Sequence, residues 1–404
     1  MKLMNFFHYL NKEISIFFNS LSEQKLKIAV ISYYFELPTI SGVGVHSKFL
    51  AEYLAKNNCE IHVFCSNSDY ESYKKEKVIV HNIGRTLPNV EGSYSKKRLE
   101  YFLFESETVK ALIRENSKQK FDIIHTQGSL TKAAFIVKKI AGLKWIHTFH
   151  AIEKTRVRKL SKEEKHFEDL ITWGESTVNY CDGAIYVSDP IYVQGRKLYQ
   201  IKKNSVIPNG VDTNLFKYSP IRKKNVLFIG RFSKEKGIEL FPEIIERVMD
   251  IEGATITLIT PYNVLLKDLE KIHDKIRLYE KKFKGRIKII TQPIGQDYIA
   301  ELYRNCQVYI QPSKYESFGL CILEAMATGR PVVAFNVGGI PELVGDCGFV
   351  VDNKESFLCK VEELLNNREL CNKIGEKASA RAKTFEWNSI AKKTIGFYEA
   401  ILDE

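Results

Sequence analysis

Short apolar runs punctuate the chain, each closed by a loop of glycine, proline or hydroxyl residues. LKIAVIS (26–32), EIHVFCS (60–66), VIVHNIG (78–84), FDIIHTQ (121–127), KWIHTFH (144–150) and AIYVSD (184–189) form a first series. NVLFIGR (225–231), TITLIT (255–260), RIKIITQP (286–293), QVYIQPS (307–313), PVVAFNV (331–337) and CGFVVDN (347–353) form a second. Runs this short and this continuously apolar have the character of strands buried on both faces. Between several of them, at about 45–56, 97–116 and 129–141, the pattern is that of helices. This alternation predicts an α/β protein with mainly parallel sheets, whose ligands bind beyond the C-terminal strand ends. Two successive series predict two sheet domains with a cleft between them, 25–211 and 225–386, joined by a linker at 212–224 that carries Pro220.

The two ends read differently. In residues 1–24, Leu3, Phe6, Phe7, Leu10, Ile14, Phe17, Phe18 and Leu21 fall at helical spacing, and no signal-peptide cleavage pattern follows. The polar face of this extension is not strongly basic. Docking on its own domain or a partner therefore weighs at least as much as contact with a bilayer. Trp387 to Leu402 is amphipathic with an aromatic anchor and is expected to pack.

Composition narrows the classes without choosing one. The 404 residues suit two domains of ordinary size, and a hydrophobic fraction of 44% suits packed cores rather than disorder. The net charge of +11 is compatible with phosphates, anionic lipid or nucleic acid as partners, although no aromatic-basic platform supports nucleic acid. The eight cysteines are scattered without a CxxC pair. They read as small core residues in a reducing, cytoplasmic compartment, not as disulfides or metal ligands. No apolar run reaches the length of a membrane-spanning helix.

The chemistry gathers around Tyr315 to Pro331. Here a strand leads through a Ser317-Phe318-Gly319 turn into a short helix expected over 320–328, which Gly329-Arg330-Pro331 stops. Free N–H groups at such a helix start aim at one point and favour an anion, most simply a phosphate. Glu316 and Glu324 bracket that point and suit hydroxyls or a cationic neighbour. A solvated αβ turn is the bland alternative. The loop GRFSKEKGIEL (230–240) brings Arg231 and Lys236 out after a strand, where two cations can clamp a diphosphate or remain ordinary surface bases. Gly42-Val43-Gly44, read as a loop between a strand and a helix, would let a ligand approach the backbone, but it is not a dinucleotide fingerprint. His150 closes its strand and is expected to meet substrate, whereas His147 reads as a structural histidine. Gln127 also sits at a strand end.

In this order the motifs resemble those of family 4 retaining glycosyltransferases with the GT-B fold, two Rossmann-like domains facing across a cleft. The resemblance runs from about residue 26 to the end. It rests on ESFGLCILE (316–324) with its downstream ATGRPVVAFNVGGIPELV, on GRFSKEKG (230–237), IPNGVD (207–212) and SGVGVHSKFLAEYLA (41–55), and on the histidine-ended strand. It implies that Arg231 and Lys236 hold the donor's phosphates and that Glu324 holds the ribose. Glu316 would sit by the transferred sugar, while Ser317, Phe318, Gly319 and Leu320 form the donor-binding turn. Gly42 and Gly44 would close on the diphosphate, and His150 would contact the sugar near the reacting carbon. The last helix, 387–404, would cross back onto the first domain. No metal or other cofactor is expected, since no Asp-x-Asp motif is present.

The implied activity is transfer of a hexose or N-acetylhexosamine from a nucleoside diphosphate sugar, UDP before GDP, to a glycan, lipid or polyol. A glucan or sugar-phosphate synthase and a non-catalytic sugar-nucleotide-binding subunit remain the alternatives. Residues 1–24 are no standard element of the family, and 67–120 and 151–180 match no particular acceptor class.

Overall fold

The computed structural model describes residues 25–35, 41–66, 72–75, 77–83, 93–156, 172–260 and 269–404. The amphipathic stretch 1–24 lies outside them, as does 157–166 of the charged segment that follows His150.

The first sheet has eight strands: β1 (Lys27–Ser32), β2 (Glu60–Cys65), β3 (Tyr73–Lys75), β4 (Val78–Asn82), β5 (Ile123–Gln127), β6 (Lys144–Phe149), β7 (Gly183–Tyr186) and β8 (Lys203–Val206). They lie in the order β3-β4-β2-β1-β5-β6-β7-β8, and only the β3–β4 pair is antiparallel. The second sheet holds β9 (Asn225–Ile229), β10 (Thr255–Ile259), β11 (Ile287–Ile290), β12 (Val308–Gln311), β13 (Val332–Phe335) and β14 (Phe349–Val351). Its order is β11-β10-β9-β12-β13-β14, with every pair parallel.

Helices cover both sheets. In the first half they are α1 (Gly42–Lys56), α2 (Ser93–Gln119), α3 (Lys132–Ala141), α4 (Glu153–Arg156) and α5 (Asp189–Leu198). The second half adds α6 (Phe241–Met249), α7 (Glu270–Lys282), α8 (Gln296–Arg304), α9 (Leu320–Ala327), α10 (Ile340–Val344), α11 (Lys354–Asn366) and α12 (Arg368–Ala382). The last helix is α13 (Trp387–Leu402). Among the described residues no helix is long and apolar enough to cross a membrane.

Two local readings change. The glycines of 42–44 form the first turn of α1 rather than a loop, because Ser41 caps the helix by accepting from the Gly44 amide at 3.4 Å. Strands β3 and β8 lie outside the apolar runs: KNSV of β8 is only half-buried, so its sequence lacks the signature of an interior strand.

The last helix packs beneath the first sheet. Trp387 stacks on Phe49 of α1 at 5.9 Å between ring centroids, and a Cβ on Gly183 of β7 would stand 2.7 Å from Ile401. Trp387, Ile390, Tyr398 and Ile401 share one buried cluster with Ile28, Val63 and Leu54. The two chain crossings run side by side, since Val211 N–H donates to Phe385 O and Trp387 N–H donates to Val211 O.

Candidate active site

In each sheet the strand order reverses at one place, between β1 and β5 and between β9 and β12. Loops leaving neighbouring strands there diverge to opposite faces, which opens a crevice at the C-terminal ends. The two crevices face each other and form one cleft of about 570 Å3, within the range of a small-molecule site. The first domain contributes Ser41, Gly42 and Val43 after β1, Gln127 to Leu130 after β5, and His150 after β6. From the second come Gly230 and Arg231 after β9, Lys236, and Gln311 and 315–321 after β12.

The cations are held by carboxylates. Lys236 Nζ lies 2.7 Å from Glu316 Oε2, and both side chains are largely sheltered. Burial alone would lower the Lys236 pKa, but Glu316 and Glu235 outweigh it and hold the pKa above its ordinary value. Glu235 is 5% exposed and takes Arg231 at 3.3 Å from its own loop and Arg156 at 3.4 Å from the first domain. Arg156 also meets Glu153 at 2.8 Å. Desolvation would raise the Glu235 pKa, yet the two arginines keep it below the usual range. Gly237 ends this loop with φ +71°, and a Cβ there would lie 1.7 Å from Pro312 O, so only glycine lets the loop seat against β12.

The 316–321 turn is clamped from two sides. Gly339 N–H donates to Glu316 O at 3.1 Å, and Ser188 Oγ of the first domain donates to Ser317 O at 2.6 Å. Gly319, at φ +103°, precedes α9, whose first N–H groups lack intrahelical acceptors, and 317–321 form part of the cleft wall. Phe318 is buried and packs edge-on to Phe385 at 6.1 Å. Glu324 stands one turn into α9, in a recess of about 110 Å3 that opens beside Gly42 and Arg231 and is walled by Pro293 and Ile294. Burial pushes its carboxyl up to about 8, against the opposing hydrogen bond from Tyr303 Oη at 3.0 Å.

On the first-domain side Gly42 faces Leu320, which a Cβ would approach to 3.6 Å. Gly44, two residues further along α1, is buried and does not line the cleft. His150 lines it and is held by Gln127, whose Oε1 accepts from Nε2 at 2.8 Å. Burial, with His46, His147 and His125 around it, keeps the His150 ring well below its ordinary pKa and therefore neutral. His147 is 1% exposed and bonded through Nδ1 to Thr126 Oγ1, as a structural histidine would be, although it too reaches the wall.

Sequence reasoning missed Arg156, Glu235 and Tyr315. The first two pair across domains over 79 positions, which no local pattern announces. Tyr315 Oη and Asn209 Oδ1, both in the cleft wall, are buried without a hydrogen-bond partner among the described residues. Buried polar atoms of this kind are normally satisfied, and a polar ligand in the cleft can do so. Among the described residues no group of three or more His, Cys, Asp or Glu is placed to hold a metal ion.

Residues 40–215 match the family model described as Glycosyltransferase Family 4, and residues 223–367 match Glycosyl transferases group 1. The chain belongs to the GT-B glycosyltransferase superfamily. It is related to the group 1 and family 4 members of that superfamily. An uncharacterized glycosyltransferase of Methanocaldococcus jannaschii is 24% identical over 403 residues, spanning 94% of this chain and 99% of its own. Sucrose-phosphate synthase from Thermosynechococcus elongatus superposes with a TM-score of 0.78 at 20% identity, covering 94% of this chain and 100% of that one. Anabaena HepE, solved in complex with UDP-glucose, has a TM-score of 0.66 at 18% identity, covering 93% and 100%. The structural likenesses bear out the expected GT-B architecture of two Rossmann-like domains facing across a cleft.

Proposed function

We propose that this GT-B protein is a family 4 retaining glycosyltransferase that moves a hexose or N-acetylhexosamine from a UDP-sugar to a glycan, lipid or polyol acceptor. One observation carries the reading. Arg231, Lys236, the start of α9 and the backbone at Gly42 converge on one sheltered volume, next to a recess with a carboxyl at its base. A diphosphate needs the first group and a ribose the second. UDP is preferred because the similarly folded Anabaena protein was solved with UDP-glucose.

In this mechanism the nucleoside sits in the recess with its ribose hydroxyls on Glu324. The diphosphate lies between the α9 N–H groups and the two cations. As the bond to the anomeric carbon breaks, negative charge grows on the leaving phosphate, and Lys236 and Arg231 stabilise it there. Glu316 steadies Lys236 and borders the sugar, and neutral His150 hydrogen-bonds with the sugar. The acceptor attacks from the same face, and the leaving phosphate oxygen takes its proton, which preserves the anomeric configuration. Closure of the domains over the donor, through contacts such as Arg156–Glu235, keeps water from competing.

All eight cysteines are free, which suits a reducing compartment, and the proposal places the protein in the cytoplasm with residues 1–24 open to peripheral membrane contact. The test is an NMR time course with UDP-sugars and a panel of glycan, lipid and polyol acceptors. An α-linked product from an α-linked donor supports the reading. An inverted product, or binding of the donor without transfer to any acceptor class, contradicts it.

A further inference from the structure

Three segments meet where the first domain touches the 316–321 turn. Ser188 stands at the start of α5, in extended backbone and 1% exposed. A serine in this place ordinarily accepts a hydrogen bond from its own helix. Ser188 makes no such bond, and Pro190 in the first turn has no N–H to offer it. Its hydroxyl crosses instead to the second domain and donates to Ser317 O at 2.6 Å. The next residue crosses too, since Asp189 N–H donates to Glu342 Oε2 of α10 at 3.0 Å. Gly339 makes room for the contact: a Cβ there would lie 2.4 Å from Ser317 O and 3.1 Å from Ser188 Oγ.

The Ser188 bond acts on one peptide. Glu316 O is taken by Gly339 N–H and Gly319 O by Leu323 N–H, so both are held from within the second domain. Ser317 O, between them, is held from the first. A carbonyl only accepts, so the hydroxyl is the donor. In a trans peptide the N–H of the following residue points opposite to the C=O. Holding Ser317 O therefore aims Phe318 N–H away from Ser188, and that N–H has no acceptor among the described residues. Ser317 and Phe318 line the cleft, whereas Ser188 does not. Without the bond, counter-rotation about Ser317 ψ and Phe318 φ turns the plane.

We propose, on the reading of 316–321 as the donor's phosphate turn, that Ser188 is a positioning residue whose hydroxyl sets the Ser317–Phe318 peptide, so that Phe318 N–H meets the donor's diphosphate. The first domain then completes the donor site without touching the ligand at this point. Binding of a diphosphate and seating of α5 on the second domain favour each other, because each needs the peptide in the same orientation. A ligand without phosphate gains nothing from that orientation.

The test is calorimetry of the full chain with UDP and UDP-glucose, and ligand-observed NMR with uridine. Ser188→Ala removes no helix cap, so its melting temperature is expected near that of wild type. It should weaken UDP and UDP-glucose about fivefold, the worth of one ordinary hydrogen bond, and leave uridine within about twofold. Gly339→Ala, whose backbone at φ −82° accepts alanine, wedges Ser188 and Ser317 apart and should do the same. Glu342→Ala breaks the neighbouring tie between the domains without touching Ser317, and should leave all three affinities within about twofold. Unchanged UDP binding in Ser188→Ala overturns the proposal. Equal weakening of UDP and uridine, or equal weakening in Glu342→Ala, overturns it as well, because Ser188 would then be a tie between domains and no more. The contrast with Glu342→Ala decides where uridine binds too weakly to follow, and Gly339→Ala decides where Ser188→Ala does not fold. A wild type that binds no uridine nucleotide sinks the donor reading and the positioning role with it. Binding in the wild type with no change in the variants sinks the positioning role alone.

Discussion

Replacing Lys236 with alanine separates charge at the cleft from stability. Lys236 and Glu316 are 16% and 15% exposed and 2.7 Å apart, so their pair is neither a surface ion pair nor a fully dry one. Surface pairs contribute roughly 0–1 kcal/mol, and breaking a buried one costs roughly 3–5 kcal/mol. An intermediate loss of about 2 kcal/mol is expected in urea unfolding, most of it from the carboxylate left without a partner. Turnover should suffer more. One positioned group facing charge that develops in the transition state is worth roughly 10²–10³ in kcat, about 2.7–4 kcal/mol. The double variant Lys236→Ala/Glu316→Gln removes the orphaned charge, so its stability should return to within ~1 kcal/mol of wild type. Its turnover, followed by nucleotide release at saturating donor, should remain down by at least the same factor. If the single variant turns over within about threefold of wild type, the phosphate role of Lys236 is refuted. Recovery of turnover in the double variant would show that Lys236 serves only to neutralise Glu316.

Glu324 gives a pH signature. Its carboxyl is pushed up to about 8 by burial, against 4.5 for the exposed group, so across that interval the unfolded chain is ionised while the folded one still holds the proton. Stability then falls with rising pH by about 1.4 kcal/mol per unit, and the loss is complete above pH 8. The buried histidines act in the opposite sense, but only below their ordinary value of 6.5. Glu105 and Glu175, which burial pushes up to about 7, add to the decline below that value. Between pH 7 and 8, Glu324→Gln should therefore flatten the decline seen by calorimetry, and an unchanged slope would contradict the assignment. Arg330 is fully buried and donates to the carbonyls of Cys306, Thr328 and Ser219 rather than to a carboxylate. Arg330→Met leaves those carbonyls unsatisfied and should cost at least ~3 kcal/mol in urea unfolding. Arg156→Met removes a tie between the domains, so limited proteolysis in 205–224 should speed up without donor, and an unchanged rate would mean that the pair holds nothing closed.

Much of the fold was legible because parallel strands buried on both faces are largely apolar, as β1, β9 and β12 are, while β5 (IIHTQ) is apolar in its first half. Those same four strands flank the reversal points, so the residues after them could be named from sequence order alone. Elements carried by side-chain capping or by edges were harder. Ser41 and its hydrogen bond move the start of α1 onto Gly42, and β8 has no apolar face to show. Within the site, Glu316 and Lys236 stood in separate motifs whose contact spans 80 positions. The Arg156–Glu235 tie and the Tyr398–His125 bond are also products of tertiary packing. His125 looks in the sequence like one of the polar residues that close β5, and the return of α13 beneath the sheet gives its Nδ1 a partner in Tyr398.

The central claim is that the cleft binds a nucleoside diphosphate sugar through its second-domain cations. The direct measurement is a thermal-shift and calorimetric panel of UDP-, GDP- and ADP-sugars beside their free nucleotides, on wild type and Arg231→Met. Ligand at a hundred times its Kd stabilises the folded state by about 2.7 kcal/mol, so binding at micromolar affinity is plain at millimolar donor. The account predicts a clear shift with UDP and UDP-sugars, weaker shifts with the other nucleotides, and loss of most of the UDP shift in Arg231→Met. No shift with any nucleotide at millimolar concentration, or equal shifts in both proteins, would contradict it.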